Sequence, residues 1–302
     1  MTLSIAVIGA GRIGRIHAGN IAAHPTARLA GVADVDAAAA VALADSCGAG
    51  AISLDEAFAA DAVLIASPTP THAEYIERAA AAGRAIFCEK PVDLAVDRVR
   101  ACLAAARGAG VPLMIGFNRR FDLHFAALKH RMDAGEIGEL ELLTIISRDP
   151  APPPPAYLAT SGGLFRDMMI HDLDMARFLL GEEPLTLQAA ASCLVDPSVA
   201  AAGDVDTAVV TLRTASGKLC QISNSRRATY GYDQRIEAHG SKGLLRAGNV
   251  TATTVELATD SGFLSDPVLP FFLERRRAGA ELFDSGPVIS KPVRFLNRFD
   301  AF

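Results

Sequence analysis

Ile5-Ala6-Val7-Ile8-Gly9-Ala10-Gly11-Arg12-Ile13-Gly14 is the stretch on which the reading of this chain turns. A short apolar run ends in glycines spaced G-x-G-x-x-G, and a helical segment, Ile13 to Ala23, follows at once. At such a strand-to-helix turn the first glycine permits the tight backbone. The second lets a pyrophosphate approach the chain, and the third lets the helix pack closely on the strand.

Working outward, short strand-like runs alternate with Ala-rich helical stretches: Leu29 to Ala33, Ala37 to Ala44, Ala62 to Ile65, Thr71 to Ala82, Ala85 to Cys88, Leu94 to Arg107 and Leu113 to Ile115. That rhythm predicts βαβ units around a buried parallel sheet. Asp34 stands twenty residues beyond Gly14, at the end of the second strand. A carboxylate there accepts hydrogen bonds from ribose hydroxyls and repels a 2′-phosphate, so NAD is expected in preference to NADP. Arg12 acts against that preference, since a guanidinium near the ribose offsets part of the repulsion. Asp36 is read as the N-cap of the next helix. Residues 1–118 are therefore expected to form a Rossmann dinucleotide-binding domain, with Gly9, Gly11, Arg12, Ile13, Gly14 and Asp34 on the cofactor.

After Gly116 the pattern changes to a helix (Leu123 to Ala134), a long strand (Leu140 to Ser147), a Pro-rich loop (Pro150 to Pro155) and a helix around His171 to Leu180. Strand-like runs follow at Thr207 to Thr214, Lys218 to Ser225, Gln234 to His239 and Thr251 to Leu257, with turn signals at Ser216-Gly217 and from Gly240 to Gly243. Residues 119–302 are expected to form an α+β domain with an open, mostly antiparallel sheet and helices on one face. The overall class is α/β in two domains.

A chain of 302 residues, 50% hydrophobic and 21% charged, has apolar material for two cores. Its net charge of −5 and its lack of long basic runs argue against a nucleic acid or an anionic membrane as partner, leaving a small molecule. Five scattered cysteines without a C-x-x-C pair suit a reducing cytosol. Leu3 to Ile8 lacks a basic leader and no long apolar run follows, so a cytoplasmic place is expected.

Two further segments carry chemistry: Ala66-Ser67-Pro68-Thr69-Pro70-Thr71-His72 and Cys88-Glu89-Lys90-Pro91. With the glycine fingerprint they resemble the Gfo/Idh/MocA oxidoreductases, which pair a Rossmann domain with an α/β substrate domain. Gly116 to Asp122, Gly163 to Met175 and Tyr230 to Asp233 are similar to the inositol 2-dehydrogenases of that family, and the likeness runs to about Arg275. The resemblance implies NAD as cofactor, with Ser67, Thr69, His72, Glu89 and Lys90 completing its site. It implies Lys90, Asp167 and His171 as the catalytic set, and Asn118, Arg119, Asp149 and Tyr232 as further contacts to a polyhydroxylated ring. The implied reaction oxidises a ring hydroxyl of inositol to a keto-inositol. Another polyol or a pyranose sugar is the alternative substrate, and a nucleotide-binding sensor without turnover the alternative class. The same resemblance implies a homo-oligomer, a dimer or tetramer formed through the second sheet.

The residue types suit that chemistry. Lys90 follows a predicted parallel strand, beyond whose carboxyl end ligands bind. His171 comes four residues after Asp167 and Asp174 three after His171, a spacing that shares one helical face. Alcohol oxidation needs a base, a donor for the developing alkoxide and a hydride acceptor: His171 suits the first, Lys90 the second, and Asp167 orients the imidazole. Asp167 is also read as an N-cap and Asp174 as a structural partner. His17, His24, His124, His130 and His239 join no constellation, and no metal is expected because the His and Cys residues lack ligand spacing. Beyond Arg276 the family pattern gives way to a tail with Pro287 and Pro292 and no helical period. A changed frame or truncation there is expected to remove helices and lower stability.

Overall fold

The apolar runs of the first half pair as parallel strands: β1 (Leu3–Ile8), β2 (Ala27–Ala33), β3 (Ala62–Ile65), β4 (Ala85–Cys88) and β5 (Leu113–Ile115), in the order β2-β1-β3-β4-β5. This computed structural model describes residues 2–229, 231–248, 254–259 and 262–267. The chain divides into two units, one ending at Phe117 and the other beginning at Asn118.

In the first unit, helices cover both faces of the sheet, which is why its strands are apolar throughout rather than alternating. On one face Ile5, Val7 and Leu64 pack against Ala18 and Ile21 of α1 (Arg12–Ala22) and Ala40 and Leu43 of α2 (Ala37–Ser46). On the other, Ala6, Ile8, Val63, Ile65 and Ile86 meet Ala57 of the short α3 (Leu54–Ala57), Ala73 and Ile76 of α4 (His72–Ala81), and Cys102 and Ala106 of α5 (Val96–Gly108). The alternation of Ile5 and Val7 with Ala6 and Ile8 is the period of two that a strand imposes. Each buried aliphatic side chain stabilises the unit by about 1.5–3 kcal/mol. Asp36 caps α2 by accepting from the amides of Ala38 (3.0 Å) and Ala39 (3.1 Å). The chain runs from β1 outward to β2, then crosses to β3 on β1's other side. That reversal puts a crevice at the carboxyl ends of β1 and β3.

The second unit holds α6 (Leu123–Asp133), β6 (Leu140–Arg148), α7 (Pro155–Ser161), α8 (Gly163–Asp167), α9 (Met169–Leu180), β7 (Pro184–Ser192) and α10 (Pro197–Ala201). Six further strands follow: β8 (Thr207–Thr214), β9 (Leu219–Ser225), β10 (Asp233–Gly240), β11 (Gly243–Gly248), β12 (Thr254–Thr259) and β13 (Gly262–Pro267). They form one sheet in the order β13-β12-β11-β10-β6-β9-β8-β7, in which only β6 and β9 pair parallel. Phe125 and Leu128 of α6, Leu164 of α8, and Met169, Met175 and Leu179 of α9 share a core with Leu143, Ile145, Val210, Leu212, Ile222 and Ile236 of the sheet. The alternate residues Leu142, Val209 and Leu219 are exposed. Helices thus cover one face.

Several local expectations need correction. The Pro-rich loop is shorter than its prolines suggest, because Pro155 starts α7: a proline lacks only a donor that the first turn leaves unused. The N-cap position of α9 is Met168, not Asp167, which is the last residue of α8. Of the strand expected from Thr251 to Leu257, residues 254–257 lie in β12 and residues 251–253 lie outside the described residues. Tyr230 and the tail beyond Arg276 lie outside them. No described helix is long and apolar enough to cross a membrane.

Candidate active site

In the first unit the residues singled out from sequence collect at the carboxyl edge of the parallel sheet. Gly9 follows β1, Asp34 follows β2, Ser67 follows β3, and Glu89 and Lys90 follow β4. The three glycines of the fingerprint are needed for different reasons. Gly9 has φ +111°, and a Cβ there would lie 2.5 Å from the Ala66 carbonyl oxygen. A Cβ on Gly14 would lie 1.8 Å from the Gly9 carbonyl oxygen, so α1 could not settle on the turn. A Cβ on Gly11 would meet no protein atom within 4 Å. The protein's own packing therefore does not require glycine there, whereas close approach of a phosphate to the turn would. Gly11 is also the N-cap of α1, with no side-chain cap and no acidic residue in the first turn to oppose an anion. Ile13 is part-buried in that turn and Arg12 is exposed at its rim.

Asp34 accepts the Ala10 amide at 2.6 Å through Oδ2 and the Asp36 amide at 2.8 Å through Oδ1. The carboxylate is thereby fixed beside the glycine turn with lone pairs left for ribose hydroxyls. The Ser67 hydroxyl lies 2.6 Å from that of Thr71, and Thr69 opens the single turn that leads into α4. His72, expected as a cofactor contact, is enclosed by its own unit. It is 2% exposed, and its ring nitrogens lie 2.7 Å from the carbonyl oxygens of Ser67 and Pro91. It lies between the Ser67 loop and the Glu89-Lys90-Pro91 segment, where one ring N–H can donate to one of the two carbonyls.

His17, assigned no partner from sequence, has one. Its Nε2 stands 2.7 Å from Glu89 Oε1, and its ring meets Phe87 edge-on. The link joins α1 to the segment bearing Lys90, and Gly116 leaves room for it, since a Cβ there would lie 3.0 Å from Glu89 Oε2. Lys90 is half-buried.

In the second unit, Asp167 and His171 stand where α8 gives way to α9. His171 is buried in the first turn of α9, and the residue after it anchors that helix. Asp172, fully buried, accepts hydrogen bonds from Arg119 Nη1, the Ser147 hydroxyl (2.6 Å) and Asn224 Nδ2 (2.7 Å). Ser147 and Asn224 face each other across the parallel β6–β9 pair, so the carboxylate pins α9 to the sheet centre. Arg119, expected at the substrate, commits Nη1 to Asp172 and Ser147 and is 7% exposed. Burial makes such a pair costly to break, because either partner alone would be an uncompensated charge. Asp174 is held by Arg120 Nε (2.7 Å) and Nη2 (2.5 Å) and is the structural partner expected.

Asp167 accepts the Tyr157 hydroxyl at 2.8 Å and lies 3.6 Å from Arg226 Nη2. Desolvation pushes the carboxyl of Asp149 up to about 6, against the pull of Arg226 and Arg119. Asn118 Oδ1 is buried without a hydrogen-bond partner among the described residues, and Tyr232 is half-buried just before β10. Sequence reasoning missed Asp172, Ser147, Asn224 and Arg226. Asp172 stood inside a quoted motif, but nothing local marks which aspartate turns inward. Among the described residues no cluster of His, Cys, Asp and Glu has the makings of a metal site.

A glycine turn of the dinucleotide-binding kind at a parallel-sheet crevice, in a chain whose second unit carries Asp167 and His171 on helices that pack on a mostly antiparallel sheet, points to a nicotinamide-dependent oxidoreductase. Comparison with known proteins agrees. Residues 3–117 match the model of an oxidoreductase family with an NAD-binding Rossmann fold, and residues 125–246 match the GFO/IDH/MocA C-terminal domain. The chain belongs to the Gfo/Idh/MocA family. It is 54% identical over 278 residues to an inositol 2-dehydrogenase of Rhizobium meliloti, covering 91% of this chain and 84% of that one. It is 47% identical over 280 residues to a myo-inositol 2-dehydrogenase of Thermotoga maritima, covering 91% and 84%. Among solved structures, a putative myo-inositol dehydrogenase from Sinorhizobium meliloti 1021 superposes with TM-score 0.84 at 50% identity, over 97% of this chain and 87% of that one. The protein is an NAD-dependent oxidoreductase.

Proposed function

We propose that this protein oxidises one ring hydroxyl of an inositol to the ketone, with Lys90, Asp167 and His171 as its catalytic set. The observation that carries the reading is the presence of all three in a chain about half identical to enzymes named for that reaction. A protein that only bound a nucleotide would need none of them.

Residues 1–118 bind the cofactor and residues from 119 onward bind the substrate. Gly9, Gly11, Arg12, Ile13, Gly14 and Asp34 hold the dinucleotide, with Ser67, Thr69 and Glu89 lining the same sheet edge and His72 bracing it. NAD, when bound, supplies the hydride acceptor. His171 takes the proton of the reacting hydroxyl, a step that contributes about 10²–10⁴-fold in rate. The Lys90 ammonium donates to the oxygen as negative charge develops, which stabilises the alkoxide-like transition state more than the alcohol. Asp167 orients the imidazole. Asn118, Asp149 and Tyr232 offer the polar groups that a polyol needs, and Arg119 supports them from beneath through Asp172.

The exposed Leu142, Val209 and Leu219 on the uncovered sheet face support a homo-oligomer, which light scattering on the purified protein checks. Cysteines without disulfide partners at all five positions support a cytoplasmic place. The reaction is tested by following NADH absorbance with NAD or NADP and, in turn, myo-inositol, scyllo-inositol and glucose. Turnover of an inositol with NAD is expected. Turnover confined to glucose would replace the substrate, and tight NAD binding with no turnover on any of the three would remove the activity.

A further inference from the structure

Arg226 follows β9 directly and is 1% exposed, yet its Nε and Nη2 have no hydrogen-bond partner among the described residues. A guanidinium withdrawn from water is tolerated only where nearby negative charge compensates it. Two carboxylates do so: Asp167 Oδ2 lies 3.6 Å and Asp204 Oδ2 3.9 Å from Nη2. Both belong to the framing of α8. Asp204 accepts the Leu164 amide at 3.0 and 3.1 Å, at the start of that helix, and Asp167 is its last residue. Gly163 permits this cap, since a Cβ there would lie 2.5 Å from Asp204 Oδ1. The root of Arg226 is fixed as well, its amide donating to the Asp206 carbonyl at 2.8 Å.

We propose that Arg226 is a positioning residue for the oxidation: its buried charge braces α8 between Asp204 and Asp167 and so fixes the carboxylate that orients His171. This rests on the reading of Asp167 as catalytic. The same guanidinium opposes the upward shift of Asp149. At 3.6 and 3.9 Å the interaction is one of charge with charge, which strengthens where water is excluded.

The test is a double-mutant cycle with Asp167→Asn, read as kcat and KM for myo-inositol and as NAD affinity by fluorescence, using the full chain. Arg226→Met is expected to lower kcat about 10- to 100-fold, the range typical of residues that orient a catalytic group, while KM and NAD affinity stay close to wild type. Arg226→Lys should recover most of the loss. In the Asp167→Asn background, already slow, Arg226→Met should add little. A wild-type kcat in Arg226→Met, or the same fold-loss with and without the Asp167 carboxylate, overturns the proposal. A near wild-type kcat in Asp167→Asn overturns the catalytic reading of Asp167 and this inference with it. Should Arg226→Met fail to melt cooperatively, Asp204→Asn replaces it in the cycle. The brace requires a several-fold kcat loss there that vanishes without Asp167, and a wild-type kcat counts against it.

Discussion

Asp149 shows how a single residue can be at odds with its surroundings. Desolvation raises its carboxyl to about 6 from an ordinary value of 3.8, so the folded protein binds this proton more tightly than the unfolded chain does. Stability from this group is therefore lost as pH rises from the unfolded value to the folded one, and above the folded value the full cost of the buried charge is felt. Asp149→Asn should raise Tm, and by more at about pH 8 than at about pH 5. An equal gain at both, measured by calorimetry, would mean that the charge is not what strains the site. His72 is the complementary case. It sits in the sequence motif, and its buried ring lies between the carbonyls of Ser67 and Pro91, so motif membership alone does not separate a support from a contact.

Among the elements, the β1–α1 turn and helix α9 are central to the proposed site. Their glycines and aspartates make different predictions. Gly14→Ala places a methyl where only 1.8 Å separates it from a carbonyl oxygen, so a large fall in Tm is expected. Gly11→Ala meets nothing in the protein, so Tm should hold while NAD affinity drops. A Gly11→Ala protein that binds NAD normally would refute the assignment of that turn. In α9, Asp172→Ala leaves the Arg119 guanidinium buried without its partner and should cost about 3–5 kcal/mol in denaturant unfolding. A loss under about 1 kcal/mol would show that the pair contributes no more than an exposed one. What was legible follows from range. The βα rhythm is a local pattern of apolar runs and breakers, and the turn glycines are fixed by local sterics, so both can be read along the chain. Strand β7 could not, because nearly every residue of this edge strand is exposed and its Ala-rich segment carries no period of two. The pairs Arg119–Asp172, His17–Glu89 and Arg226–Asp167 join residues separated by dozens of positions, and only folding reveals which charges meet.

For the whole molecule, the proposed reaction draws on both units: the first holds the glycine turn and Lys90, the second Asp167 and His171. The family's two domain models match on either side of the point where the units divide, close to the change of rhythm after Gly116. In the proposed reaction one hydride leaves an inositol ring carbon for NAD with the help of both Lys90 and His171. Myo-inositol deuterated at its ring carbons tests it, with the reduced cofactor analysed by mass spectrometry. Deuterium should appear in the NADH formed by the native protein, and its rate of appearance should fall at least about 100-fold in Lys90→Ala and in His171→Ala while NAD still binds. NADH free of deuterium would rule out transfer from the ring carbon, and near-native transfer in either variant would remove that residue from the reaction.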